Sequence, residues 1–353
     1  MPVHRSHAAA AVAAAAAVIS ACAGCGINSA AGSTHLSATA ASATGTYRLI
    51  QEPDAGYQPI TDMIGAATQS VRLAMYELSD DAVVHALVDA KRQRHVEVHV
   101  LLDAAFHGRQ TNQAAFTELQ QSAIDVTWAP ADVIYHEKLL VIDDTSAVIG
   151  TANLVHKYYR SSRDAFVVTT APADVAATTA TFDADYAAAH NAARSTPTAT
   201  AGEHLVWSPA AERQFVDQIA TATTSLNITS EEFIDAPVLS AIAHTARRGV
   251  ACRVVLTEDP AWNPAINEVS AAGCSVHLLP RSASALYMHE KLLLIDAAAL
   301  IIGSHNLSPA SLRDNRELSL RLDQSTAPSV LAAAASTFEH DYQQAVPATS
   351  SER

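Results

Sequence analysis

The string His136-Glu137-Lys138 runs through a short apolar stretch to Asp143 and is followed by Gly150-Thr151-Ala152-Asn153. It returns as His289-Glu290-Lys291, through a second apolar stretch to Asp296, followed by Gly303-Ser304-His305-Asn306. Both copies read His-x-Lys-x4-Asp, then six residues, then Gly-(Thr/Ser)-x-Asn, and they lie 289 − 136 = 153 residues apart. A single copy is a pattern that chance could supply. Two full copies at matched internal spacing make this chain a duplication of one folding unit. Two His, two Lys and two Asn brought together by such a duplication can surround one phosphate.

The rest of the chain repeats in the same order. Val71–Tyr76 reads as a strand, and Asp80–Arg94 as a helix capped by Ser79 or Asp80. Val96–Leu102 reads as an alternating strand with a buried end and Ile124–Trp128 as a short strand. In the second half Leu226–Ser230, Pro237–Arg248, Val250–Leu256 and Ser275–Leu279 follow in the same sequence. The closing segments also match, Phe182-Asp-Ala-Asp185-Tyr186 with Phe338-Glu-His-Asp341-Tyr342. Strands alternating with helices predict an α/β fold, two pseudo-twofold-related halves each with a mixed central sheet flanked by helices. The expected boundaries are a leader over 1–22, a flexible tether over 23–45, one half over 46–193, a linker over 194–204 and the other half over 205–346.

At 353 residues with 49% hydrophobic residues, the chain can bury a large core in about two domains. Its formal charge of −14 argues against a partner that is a long polyanion. A protein that holds a long polyanion usually carries a basic stripe. The densest basic run, Lys91-Arg92-Gln93-Arg94, reads as the solvated end of a helix.

The N-terminus reads as a targeting segment: His4, Arg5 and His7 precede an apolar run from Ala8 to Ile19 that is too short to span a bilayer. Ile19-Ser20-Ala21-Cys22 resembles the lipobox of bacterial lipoproteins, in which the Cys becomes the acylated first residue. Cleavage after Ala23 at an Ala-x-Ala site is the competing reading. Either way the chain is expected to be exported. With Cys22 acylated it would be anchored by acyl chains to the outer face of the cell membrane, and otherwise secreted. Cys252 and Cys274 are then either a disulfide, favoured by export, or two buried thiols. No Cys pair has zinc spacing outside the leader.

In each motif the run between Lys and Asp reads as a buried strand. One residue separates His from Lys, so both side chains point to one face of an extended chain. A turn leads to a second strand ending at Gly150 or Gly303, with Asn153 or Asn306 just beyond. The Lys offers a point charge to a phosphate oxygen and the Asn amide a neutral hydrogen bond.

These motifs resemble those of the phospholipase D superfamily in its form with two motifs in one chain, over residues 46 to 345. The resemblance implies a reaction without metal or other cofactor. One His attacks phosphorus to give a phosphohistidine, and the other protonates the leaving alcohol and then activates water. It assigns His136 as nucleophile and His289 as general acid, then base. Asp164 and Glu317 each follow their own motif His by 28 residues (164 − 136; 317 − 289). In the family such carboxylates cross over, which implies His136 with Glu317 and His289 with Asp164. Lys138, Lys291, Asn153 and Asn306 are expected to bind the phosphate. Asp143 and Asp296 lie beyond the apolar runs and are expected to hold turns. Thr151 and Ser304 keep a hydroxyl that can reach phosphate or cap a turn.

Glu77 and Glu232 correspond at strand ends and either border the pocket or serve as ordinary strand-end acids. His95 and His99 read as an exposed edge. His156-Lys157-Tyr158-Tyr159-Arg160 and Trp262 are candidates for the pocket mouth or for plain loop packing. The expected activity is hydrolysis of glycerophospholipids to phosphatidic acid and a headgroup alcohol, at a membrane surface, by a monomer holding both half-sites. A nuclease of the same superfamily, disfavoured by charge, and a phosphatidyl transferase are the alternatives. A binding protein with a decayed site is set aside because every residue the chemistry needs is present twice.

Overall fold

A computed structural model of the protein describes residues 46–191 and 197–348. The leader, Cys22 and the tether lie outside these residues.

The first half contributes β1 (Tyr47–Glu52), β2 (Ser70–Met75), β3 (Glu97–Leu102), β4 (Asp125–Trp128), β5 (Lys138–Ile142), β6 (Ser146–Gly150) and β7 (Ser162–Thr169). They lie side by side in the order β1-β7-β6-β5-β2-β3-β4. The second half contributes β8 (Leu205–Trp207), β9 (Ser225–Thr229), β10 (Ala251–Thr257), β11 (Ser275–Leu279), β12 (Tyr287–Met288), β13 (Leu292–Ile295), β14 (Ala299–Gly303), β15 (Leu318–Asp323) and β16 (Val346–Pro347). Their order, β16-β11-β10-β9-β13-β14-β15-β8, repeats the first sheet with β16 added at one edge. Both sheets are mixed: β2, β3 and β4 run parallel, as do β9, β10 and β11, and the remaining pairs within each half are antiparallel. The small strand β12 crosses the divide and pairs in parallel with β7 of the other half.

The apolar runs of the motifs are long because each strand is buried on both faces. Leu139 and Val141 of β5 point into a core shared by the two halves, together with Leu292 and Leu294 of β13. Leu140 and Ile142 point the other way, into a core that the first half builds with its own helices. Leu293 and Ile295 do the same in the second half. The helices Pro172–His190 and Pro328–Gln344 complete the shared core through Val175, Phe182, Val330 and Phe338. Each fully buried aliphatic side chain contributes about 1.5–3 kcal/mol, so the shared core is itself a reason for the halves to stay together.

The motif acids fix the hairpins. Asp143 and Asp144 both have φ of 53°, and Thr145 N–H donates to Ile142 O across them at 3.0 Å. This is the primed turn that matches strand twist. Asp296 (φ 53°) and Ala297 (φ 51°) repeat it. The Asp143 carboxylate accepts the backbone N–H groups of Thr68, Gln69 and Ser70, and Asp296 accepts those of Thr223, Thr224 and Ser225. Each acid thus anchors the start of the neighbouring strand, far from its own His and Lys.

Other expectations meet definite outcomes. Asp80, not Ser79, caps the helix Asp81–Arg94, accepting from Val83 N at 2.8 Å. His99 does not lie on an exposed edge: β3 runs between β2 and β4, and the imidazole is half-buried and stacks on Tyr186. Cys252 and Cys274 form a disulfide that joins the start of β10 to the approach to β11. Trp262 packs, partly buried, on the core of the second half. Tyr159 stacks on Tyr57, whereas Tyr158 is left exposed with Lys157 over its ring.

Candidate active site

The backbone of one half delivers each motif His to the other half. His136 N–H donates to Arg316 O at 2.9 Å, and His289 N–H donates to Arg163 O at 3.2 Å. The residue after each of these arginines is the matched acid, Glu317 or Asp164, so a single backbone contact sets both members of a pair. His136 Nδ1 lies 2.8 Å from Glu317 Oε2, and His289 Nδ1 lies 2.7 Å from Asp164 Oδ1. With Nδ1 tied to a carboxylate, Nε2 is the nitrogen left for chemistry, and the ring orientation is fixed.

The carboxylates are held in turn. Asp164 accepts from Thr151 Oγ1 at 2.6 Å and Ser162 Oγ at 2.7 Å. Glu317 accepts from Ser311 Oγ at 2.6 Å and Asn315 Nδ2 at 3.1 Å. The Thr151 hydroxyl therefore serves the acid and not the phosphate, and the Ser304 hydroxyl accepts the Leu318 N–H. Gly303 is required by close approach, because a Cβ there would overlap the backbone of Leu318 and Ser319. Burial works against ionisation of Glu317, but the charge and hydrogen bond of His136, with His305 and Lys138, hold its pKa down to about 2. Asp164 is likewise held below the ordinary carboxylate range, because His289, Lys291 and Thr151 outweigh its burial.

Burial also lowers the pKa of His136, against the pull of Glu317, which favours its neutral imidazole. The same cause brings Lys138 down to about 7, so this ammonium depends on a nearby anion to keep its proton. The charges of Lys291 and Glu231 act on Lys138, and that of Lys291 acts on His136, which places the two half-sites in one electrostatic environment. Lys138 Nζ sits 5.0 Å from the Tyr76 ring centroid. The Asn153 amide donates to Glu77 Oε2 at 3.3 Å, and Glu77 Oε1 meets His107 at 2.8 Å, so Glu77 borders the site. The Oδ1 atoms of Asn153 and Asn306 are buried with no partner among the described residues. Amide flips exchange O and N, so each Asn has polar capacity to offer a ligand. No cluster of three or more His, Cys, Asp or Glu among the described residues is placed to hold a metal ion.

Three features escaped the sequence reading. Arg163 binds Asp341 through Nε at 2.7 Å and Nη2 at 2.9 Å, and Arg316 binds Asp185 at 2.8 and 2.6 Å. These buried pairs clamp the halves together. Their signal was present: an Arg precedes the matched acid in both copies, and Asp185 and Asp341 recur in the matched closing helices. The buried Glu137 and Glu290 lie between each motif His and Lys, and burial pushes both pKa values up, Glu290 to about 7. Finally, Glu231 Oε2 lies 3.2 Å from His289 Nε2 and 3.0 Å from Lys291 Nζ. Nothing in the repeat marks it, because the first half has no acid at the equivalent position.

Comparison with known proteins bears on the family and the fold. A family model described as "Cardiolipin synthase, PLD-like domain" matches residues 60–186 and again residues 215–342. A phospholipase D of Rickettsia bellii is 32% identical over 94 residues, covering 27% of this chain and 45% of the relative. Cardiolipin synthase A of Pseudomonas fluorescens is 26% identical over 311 residues, covering 77% of this chain and 64% of the relative. The match thus spans less than half of the first relative and under two thirds of the second. The solved phosphatidylserine synthase of Haemophilus influenzae superposes with a TM-score of 0.66 at 15% identity, over 86% of this chain and 87% of that one, and shares the fold. With the family model matched twice and over more than half of its length, the chain belongs to the cardiolipin synthase PLD-like domain family.

Proposed function

We propose that this protein cleaves the phosphodiester bond of glycerophospholipids by a phospholipase D reaction, with water as acceptor. The observation that carries the reading is the crossed pairing, in which His136 and His289 each have Nδ1 fixed by a carboxylate of the opposite half. Membership of the family supports a phospholipid-modifying phosphodiesterase, and its relatives are named for phospholipid chemistry. The net charge of −14 supports a lipid over a nucleic acid.

In the first step the Nε2 lone pair of His136 attacks phosphorus. The bond from phosphorus to the headgroup oxygen breaks, and the Nε2 proton of His289 passes to that oxygen. In the second step water gives a proton to His289 and its oxygen to phosphorus, and the bond to His136 breaks. Lys138 and Lys291 balance the charge on the non-bridging oxygens, and Glu317 and Asp164 stabilise the imidazolium forms. Because both half-sites lie in one chain, a monomer suffices. Export, with Cys22 as the acylated residue, is part of the proposal; the Cys252–Cys274 disulfide supports an oxidising compartment. Transfer to an alcohol is the second reading, supported by the cardiolipin synthase relative.

Phosphorus NMR of the purified protein with phosphatidylcholine and phosphatidylglycerol vesicles and a short oligonucleotide tests these readings. Phosphatidic acid that disappears in His136→Ala supports hydrolysis, and cardiolipin in its place makes the protein a transferase. Cleavage of the oligonucleotide alone overturns the lipid assignment.

A further inference from the structure

The two half-sites are not equivalent, and the difference lies at one position. Ser70 and Ser225 are matched, since each donates its N–H to its own motif acid, Asp143 or Asp296. Six residues on from each stand Tyr76 and Glu231 (76 − 70; 231 − 225). Tyr76 presents its ring edge-on to His136, 4.7 Å between centroids, and no carboxylate among the described residues reaches His136 Nε2. Glu231 instead places Oε2 against both His289 Nε2 and Lys291 Nζ, while Tyr287 Oη donates to its Oε1 at 3.1 Å. His289 therefore has a carboxylate on each ring nitrogen, whereas His136 has one.

A carboxylate close to each ring nitrogen favours the charged, doubly protonated imidazole over the neutral ring, which keeps a lone pair on one nitrogen. We propose that Glu231 is the residue that assigns the two histidines their roles: it keeps the Nε2 proton on His289, making that ring the acid, and leaves the bare Nε2 of His136 as the nucleophile. Glu231 acts through His289 and Lys291, and so is a positioning residue. It is itself held ionised, because His289 and Lys291 outweigh its burial. The proton it retains is the one the leaving oxygen takes as the phosphorus–oxygen bond breaks. The inference rests on the covalent reaction proposed above, and supplies from within this chain a cause for the asymmetry that reaction requires.

The test maps the phosphorylated histidine after an alkaline quench of full-length enzyme turning over a short-chain phosphatidylcholine. Wild type, Glu231→Gln and Glu231→Tyr are compared by mass spectrometry, the last copying the first half-site into the second. The wild type carries the label on His136 alone. Both variants carry at least about a tenth of it on His289, a redistribution that altered packing alone does not produce. Label confined to His136 in all three proteins overturns the role of Glu231 and leaves the reaction standing. Label on His289 in the wild type contradicts the assignment itself. If the wild type forms no phosphohistidine, the covalent reaction falls and the inference falls with it. Should Glu231→Tyr fail to fold, the near-isosteric Glu231→Gln decides the matter.

Discussion

Replacing Arg316 with Met removes one member of a pair whose side chains are 1% and 0% exposed. The guanidinium makes two bonds to Asp185 and one to Pro197 O at 2.6 Å, and lies 5.5 Å from the Trp207 ring. Without it the Asp185 carboxylate keeps, among the described residues, a long contact to Tyr135, and burial already raises its pKa even with Arg316 present. Leaving a buried charge without its partner costs about 3–5 kcal/mol, a large share of the roughly 5–15 kcal/mol that holds a typical protein folded. Asp185 can escape part of that cost by taking up a proton, so the loss should be greater at pH 8 than at pH 5. Arg316→Met with Asp185→Leu removes both charges, and should recover most of the loss because neither ion then needs desolvation. Urea unfolding of the wild type, both single variants and the double variant at the two pH values measures this directly. A single-variant cost below about 1 kcal/mol, the value of an exposed ion pair, would refute the clamp. So would a double variant no more stable than Arg316→Met.

Further outcomes follow from the same geometry. Glu317→Gln and Asp164→Asn should lower the unfolding midpoint, because each acid is held ionised by its His, and should lower kcat per folded molecule by about 10²–10⁴, measured as headgroup release; undiminished kcat in both would remove the orienting role of these acids. Glu290 and Glu52, each raised to about 7, and Glu137, also raised, bind protons in the fold at pH values where the unfolded chain has lost them. Their contribution is fully present below the unfolded pKa near 4.5 and is lost as pH rises through 7, so stability should fall from pH 5 to 8, and Glu137→Gln should flatten that fall. Asp143→Ala and Asp296→Ala should each cost about 1 kcal/mol, as for a lost helix cap, without changing kcat per folded molecule. Replacing Cys252 and Cys274 by Ser should cost about 3 kcal/mol for a loop of this size, read as a lowered urea midpoint.

How much of this was legible in the sequence depended on what the duplication could display. Several features present in both halves were plain: the strands either side of each motif, the matched acids Asp164 and Glu317, and a turn held by Asp143 and by Asp296. Helices such as Gly108–Gln121 and Asn263–Ala271 were not read, because their faces mix Gln, Asn, Ala and Glu without a clear apolar stripe. The shared core was equally hidden, since an apolar strand reads the same whether its second face meets its own helices or another half. Contacts between halves join residues more than a hundred positions apart, so the repeat displays Arg163, Arg316, Asp185 and Asp341 as matched residues, while their pairing, Arg163–Asp341 and Arg316–Asp185, appears only once the fold is closed. Glu231 is the opposite case. Its position departs from the repeat, and matched spacing marks only the residues that both halves share.

The proposed reaction requires one phosphate site assembled from both halves. A crystal structure with tungstate, a phosphate mimic, tests it most directly. A single tungstate per chain is expected, within bonding distance of Nε2 of both His136 and His289 and contacted by Lys138 and Lys291, with binding lost on replacing either His by Ala. Two tungstates on separate half-sites, or one that keeps its place without His289, would contradict it.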